Sequence, residues 1–174
     1  VSYVDGDNRD GARQAVEHLV RGGRTRIAHI SGPQDMGVGI DRLQGYRDAL
    51  AAAGLPEMVV YGDFSEASGV TAAAELLDRY PEVDAVFAAD DPMALGAMRV
   101  LKKHGRRVPE DVAVVGFEDS SSAPLADPPL TTVHQSVEEM GRQMARLLIA
   151  RIQGEEPADP VVILQPHLVV RESA

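Results

Sequence analysis

The residues best suited to chemistry are one arginine, one aromatic ring and several carboxylates, each placed soon after a short apolar segment. Asp41 and Arg42 follow the loop Ser31–Ile40. Asp63 and Phe64 follow residues 58–61, Asp90 and Asp91 follow 84–89, and Glu118 and Asp119 follow 112–117. Carboxylates accept hydrogen bonds from hydroxyls in pairs, and arginine donates from a planar fork. An aromatic face packs on the C–H face of a sugar or on a planar base. Such a set suits a neutral polyhydroxylated ligand or a heterocycle. Each group also has a structural reading. Asp90 and Asp91 precede a helical pattern and can cap it, Glu118 and Asp119 open a serine-rich turn, and Phe64 can staple its loop. Arg42 falls in the first turn of a helix predicted over 41–53, where the helix dipole disfavours a cation, and that mismatch points to function.

Signatures of catalysis are missing. The chain has no G-x-S-x-G elbow, no G-x-x-x-x-G-K-S/T phosphate loop, no H-E-x-x-H and no G-x-G-x-x-G after a strand. Gly37-Val38-Gly39 reads only as a flexible loop. The five histidines (His18, His29, His104, His134, His167) lack metal-ligand spacing, and there is no cysteine, so disulfides, thiolate metal sites and cysteine nucleophiles are excluded. The expectation is a binding protein, not an enzyme, with no cofactor and no metal.

Alternating strands and helices must position these groups. Ala12, Ala15, Val16, Leu19 and Val20 recur at helical spacing, with Asp7 and Asn8 as capping candidates and Gly22-Gly23 as the stop, predicting a helix over 10–21. Strands over 26–30, 58–61, 84–89 and 112–117 then alternate with helices over 41–53, 66–79 and 91–104. Strands rich in apolar and β-branched residues, without polar alternation, are buried on both faces, and the helices between them supply the crossovers that parallel pairing needs. The fold class is therefore α/β, with a doubly wound, mostly parallel sheet and helices on both faces. Ligands of such sheets bind at the carboxyl ends of the strands, which is where the candidate residues fall. After residue 118 a Ser- and Pro-rich loop leads to an extended piece, Leu130 to Val133. A helix over 136–153 follows, with Val137, Met140, Met144, Leu147 and Leu148 on one face, then extended pieces over 161–164 and 167–170.

At 174 residues the chain is long enough for one sizeable domain, and 44% apolar with 25% charged residues is a globular balance. No apolar run approaches the roughly 20 residues of a membrane span. A net charge of -10 repels a phosphate backbone, and 4% aromatic residues without Trp supply no stacking platform, so any DNA contact must be made by residues outside this chain. The opening VSYVDGDNRD carries no basic and apolar targeting pattern.

Eight segments occur in one order: VDGDNRDGARQAVEHLVRGG, RIAHISGP, DRLQGYRDAL, GDFSEASG, DAVFAADDPMALGAMRVLKKHG, VPEDVAVVGFEDS, PPLTTVHQSVEEMG and LVVRES. Together they resemble the effector-binding domain of the lactose-repressor/galactose-repressor (LacI/GalR) family of bacterial transcription regulators. The resemblance implies a two-lobed core like that of periplasmic sugar-binding proteins, with a small effector, sugar or purine-like, held between the lobes. It further implies DNA binding through a helix-turn-helix segment absent from this chain, a cytoplasmic location and a homodimer. Residues 1–133 would form the second lobe. Residues 134–174 would supply a crossover, a helix and end strands that pack on a first lobe largely absent here. The family's effector arginine falls on Arg42 and its ring-packing aromatic on Phe64. Its polar residue before D-x-M-A, often asparagine, falls on Asp90, and the first acid of its G-F/Y-D-D motif falls on Glu118. The glutamine after T-T-V-x falls on Gln135, and an acid at the first crossover on Asp5. Asp90 and Glu118 depart from the usual asparagine and aspartate, which bears on ligand identity. Dimer contacts are expected on the apolar stripe of helix 136–153, or on helix 91–104 with the loop around Pro128 and Pro129.

Two competing readings follow from the same residues. A solute-binding protein of a sugar transport system shares the fold and cleft. The residues upstream of Val1 would separate the two, and the D-x-M-A-x-G and P-P-L-T-T-V wording favours the regulator. A small α/β hydrolase is disfavoured because no nucleophile–base pair is assembled by any motif.

Overall fold

The computed structural model of the chain describes residues 2–155 and 159–174. Its elements run β1 (Tyr3–Gly6), α1 (Asn8–Arg21), β2 (Ile27–Ser31), α2 (Gly37–Ala53), β3 (Val59–Tyr61), α3 (Glu66–Arg79) and β4 (Ala85–Ala88). Then come α4 (Asp91–Lys103), β5 (Ala113–Glu118), a 3-10 turn (Ala123–Leu125), β6 (Thr131–His134), α5 (Val137–Ile152), β7 (Val161–Leu164) and β8 (His167–Val169). A six-stranded sheet has the order β3-β2-β4-β5-β6-β8, parallel except for the antiparallel β8. This is the doubly wound α/β sheet that the strand–helix alternation predicts. A separate parallel pair joins β1 to β7.

Successive strand residues point to opposite faces, and the core divides accordingly. Ile27, Ala85, Phe87, Ala113, Val115 and Phe117 pack beneath α1 and α2, whereas Ala28, Ile30, Val60, Val86, Ala88, Val112 and Val114 pack beneath α3 and α4. Both helix pairs approach closely because glycines face the contact. A Cβ on Gly45 would overlap the Arg9 carbonyl, and one on Gly96 would overlap the Glu66 carbonyl.

The register of α2 matters most, because it carries Arg42. Four residues on, Tyr46 is fully buried; its hydroxyl donates to the Ile27 carbonyl at 2.8 Å and accepts from the Met58 N–H at 2.9 Å. One phenol thus pins α2 to both β2 and the entry to β3. Tyr46→Phe keeps the ring but leaves a buried N–H unpaired, so chemical denaturation is expected to show a loss of about 1–3 kcal/mol.

Three expectations are corrected. The pair-forming strand β1 was missed, because a four-residue segment containing Asp5 and Gly6 carries no apolar pattern. Helix α2 begins at Gly37, not at 41, so Gly37-Val38-Gly39 is a first helical turn and no flexible loop. Gly39 permits this because a Cβ there would overlap the Pro33 carbonyl. Arg42 is therefore beyond the first turn, and the dipole mismatch disappears. Third, β8 is not apart from the main sheet: it closes the β6 edge. The Ser173 hydroxyl, fully buried, donates to the Val114 carbonyl at 2.6 Å and accepts from the Thr131 N–H at 2.8 Å. An antiparallel edge strand needs no helical crossover, so residues 167–174 join the body built by residues below 134. Val1 and residues 156–158, which fall within the two expected units, lie outside the described residues.

Candidate functional site

The chain runs outward from β2 to β3 and then crosses back to β4, so the winding reverses between β2 and β4. The carboxyl ends of these strands splay apart at such a reversal and leave a crevice. Arg42 stands there, 2% exposed. Its Nη1 donates to the Ala89 carbonyl at 2.6 Å, its Nε donates to Asn8 Oδ1 at 3.0 Å, and its guanidinium lies 3.7 Å from the centroid of the Phe117 ring. Phe117 reaches it because residues 113, 115 and 117 of β5 all face the α1–α2 side. Burial lowers the Arg42 guanidinium to about 10, with Glu118 and Asp90 opposing the shift, so it stays charged at neutral pH. Among the described residues Nη2 has no protein partner, which leaves two N–H donors for a ligand.

Acids surround this cation. Glu118 Oε1 is 3.6 Å from Nη1, and its side chain is half exposed. Asp90 is 3% exposed and caps α4, accepting from the Met93 N–H at 2.8 Å. Its capping role and its place beside Arg42 therefore coexist. Burial raises the Asp90 carboxyl to about 7, since the Met93 hydrogen bond only partly offsets the desolvation and Glu118 adds a like charge. Burial also raises Glu118, against the attraction of Arg42. Phe64, in the left-handed region at φ 71, lays its ring over Gly32 in the loop after β2, where any Cβ would collide with it.

The remaining acids are structural. Asp91 is fully buried and accepts from the Thr132 hydroxyl at 2.6 Å and the Ser120 N–H at 2.7 Å, tying the turn after β5 to β6. A Cβ on Gly116 would strike the Asp91 carboxylate, which accounts for glycine in that strand. Asp119 accepts from Arg171 at 2.8 Å and pairs with His134 at 2.9 Å. Burial pushes its carboxyl up, yet these partners outweigh the effect and hold it below the usual range. Asp63 and Asp41 are exposed and outside the cluster; Asp63 accepts from the Ser65 N–H. His29 is fully buried and stacked between Tyr46 and Phe87, and burial lowers it to about 3, so it is neutral core.

Asp5 and Gln135 meet Arg42 through a residue that sequence reasoning took only for a cap. The helix cap is Asp7, whose carboxylate accepts from the Asp10 N–H. Asn8, 3% exposed, instead bridges. Its Oδ1 accepts from Arg42 Nε and from Gln135 Nε2 at 3.2 Å, while its Nδ2 donates to the Gly6 carbonyl at 3.1 Å and to Asp5 Oδ1 at 3.3 Å. Five of the six expected site residues, all but Phe64, thus belong to one electrostatic cluster around Arg42. Phe64 stands at the β2 side of the same crevice.

Among the described residues no group of three or more His, Asp or Glu side chains could hold a metal ion. No described helix is long and apolar enough to cross a membrane.

Residues 16–174 match the family model of the periplasmic binding protein-like domain. The HTH-type transcriptional regulator CelR of Thermobifida fusca is 59% identical over 99% of this chain and 52% of its own length. The HTH-type transcriptional repressor CytR of Escherichia coli (strain K12) is 38% identical over 96% of this chain and 50% of its own. Among solved structures, a CelR–cellobiose complex superposes with a TM-score of 0.97 at 59% identity, covering 100% of this chain and 54% of the other. A lac repressor dimer bound to operator superposes at 0.92 and 32% identity, covering 98% and 60%. The chain spans about half the length of the curated relatives it matches. It belongs to the periplasmic binding protein-like domain family, and the relatives it matches over that domain are HTH-type transcriptional regulators.

Proposed function

We propose that this chain is the effector-sensing part of a LacI-type regulator that binds a neutral sugar at the Arg42 crevice and controls DNA binding allosterically. One observation carries the reading: a buried arginine held at Nε by Asn8, at Nη1 by Ala89 and against the Phe117 ring, with Asp5, Asp90 and Glu118 near enough to act on its charge. Paired acceptors, a fixed fork and an aromatic face suit sugar hydroxyls and a pyranose C–H face. The solved CelR complex holds cellobiose, and 59% identity makes a β-linked disaccharide the first ligand to test.

The family likeness supports three further parts of the proposal. DNA contact would come from a helix-turn-helix segment outside these 174 residues, in a protein acting in the cytoplasm. The helix and strand that follow residue 133, α5 and β7, would pack on the family's first lobe. In support, α5 has no buried residue, Val137, Met144, Leu148, Ile149 and Ile152 are exposed, and Met144, Leu147 and Leu148 line a groove of 830 Å³ with Tyr3 and Val4 of β1. The full protein would be a homodimer, as the lac repressor structure is. Its contact would involve the α5 stripe, or the surface where Met98 and Lys102 of α4 meet Asp127 and Pro128.

A thermal-shift screen of the full-length protein with sugars, sugar phosphates and purines, followed by operator release, tests the reading. Stabilisation and release by cellobiose support it. Response only to purines, or to nothing, rejects it.

A further inference from the structure

We propose that Asn8 is a positioning residue for effector recognition: its side-chain oxygen aims the Arg42 fork and ties that aim to the two segments that cross between the main sheet and the β1–β7–α5 unit. The inference rests on the Arg42 crevice being the effector site.

An asparagine amide has two acceptor lone pairs and two donors. Asn8 uses all four: Arg42 and Gln135, 34 and 127 residues away, donate to its oxygen, and its nitrogen donates to the neighbouring Gly6 and Asp5. Arg42 Nε–H has only a donor to offer, so the oxygen must face it, and the nitrogen is thereby directed to Gly6 and Asp5. No flip of the amide satisfies all four.

For Arg42 the consequence is orientational. A guanidinium resting on one ring and held at one nitrogen can still swivel in its plane. Asn8 at Nε and Ala89 at Nη1, on opposite sides, remove that freedom and leave Nη2 pointing in one direction. Preorganising a donor lowers the ordering cost of binding.

The oxygen is also shared. Asp5 and Gly6 end β1 and Asn8 opens α1, so they flank the crossover from β1 to α1, and Gln135 lies in the crossover from β6 to α5. Gly6 and Gln135 touch so closely that a Cβ on Gly6 would overlap the glutamine amide. Any shift of the β1–β7–α5 unit moves these segments and so alters the oxygen that Arg42 is held by. By reciprocity, a ligand that fixes Arg42 favours one arrangement of the crossovers.

The test separates the oxygen from the rest of the side chain. In the full-length protein, cellobiose affinity is measured by calorimetry for wild type, Asn8→Ala and Asn8→Asp, with thermal melts alongside. Asn8→Asp keeps an acceptor for Arg42 and Gln135 but loses the donors to Gly6 and Asp5. Asn8→Ala loses both, and Asn8→Ser, too short to reach Nε, replaces it if the alanine variant does not fold. The expected result is affinity weakened about tenfold or more in Asn8→Ala or Asn8→Ser and held within about threefold of wild type in Asn8→Asp, whatever the order of melting temperatures. Equal losses in the alanine and aspartate variants, or affinity that simply follows melting temperature, overturn the proposal. A wild-type protein that does not bind cellobiose while Asn8→Asp and wild type melt alike removes the effector-site reading, and this inference with it.

Discussion

Replacing Arg42 by lysine in the full-length regulator is expected to weaken cellobiose binding by roughly ten- to a hundredfold, and replacing it by alanine to abolish the response at ordinary effector concentrations. A charge-assisted hydrogen bond to a ligand is worth about 1.5–3 kcal/mol, and each 1.4 kcal/mol is about tenfold. Lysine keeps the charge but has no planar fork: it cannot serve Asn8, Ala89 and a ligand together, nor stack as flatly on Phe117. Alanine also leaves Asn8 Oδ1 and the Ala89 carbonyl short of a donor and strips Asp90 and Glu118 of their cation. Calorimetric titration reads the first loss and urea unfolding the second. Unchanged affinity in Arg42→Lys would remove Arg42 from the binding site.

The second large effect is on stability against pH, and its sign is opposite to that of an ordinary paired carboxylate. Burial raises Asp90 from 3.8 to about 7 in the folded chain. Between these values the folded state holds a proton that the unfolded state has released, so stability falls as pH rises through the window. Asp91 and Glu118 are raised by burial too and act in the same direction. His29 acts against them: buried and neutral to about 3, it takes no proton where the unfolded histidine does, so its contribution grows as pH rises towards 6.5. The clean readout is therefore the difference between wild type and Asp90→Asn, since asparagine also caps helices well. The variant is expected to match wild type near pH 4 and to exceed it at pH 8 by an amount on the order of a few kcal/mol. A difference that does not vary between pH 4 and pH 8 contradicts this account of Asp90.

Much of this site is legible in the amino-acid sequence. Arg42, Asp90 and Glu118 follow apolar strands, and in a doubly wound sheet that alone brings them to one edge. Asn8 was hidden for a physical reason. Its neighbour Asp7 is a good cap, so the pair looks like helix punctuation, while its partners lie 34 and 127 residues away, and only the winding of the sheet brings them together. The start of α2 was misplaced because glycine has low helix propensity, and Gly39 is required by a close approach to Pro33 that no local pattern records. The attachment of β8 to the main sheet is not legible because a three-residue apolar strand fits an edge of either unit, and the choice rests on its ladder to β6 and on Leu168 reaching the core. The departure of Asp90 from asparagine is softened by its burial, since a carboxyl raised to about 7 offers a hydroxyl donor over much of the acidic range.

Amide hydrogen exchange of the full-length protein with and without saturating cellobiose tests the central claim most directly. Protection is expected in the loop after β2 (residues 32–36), around Phe64, across the β4–α4 junction at Asp90, after β5 at Glu118, and at the crossover around Asn8. Calorimetric binding accompanied by protection confined to α5 and β1, with the Arg42 crevice unchanged, would contradict it.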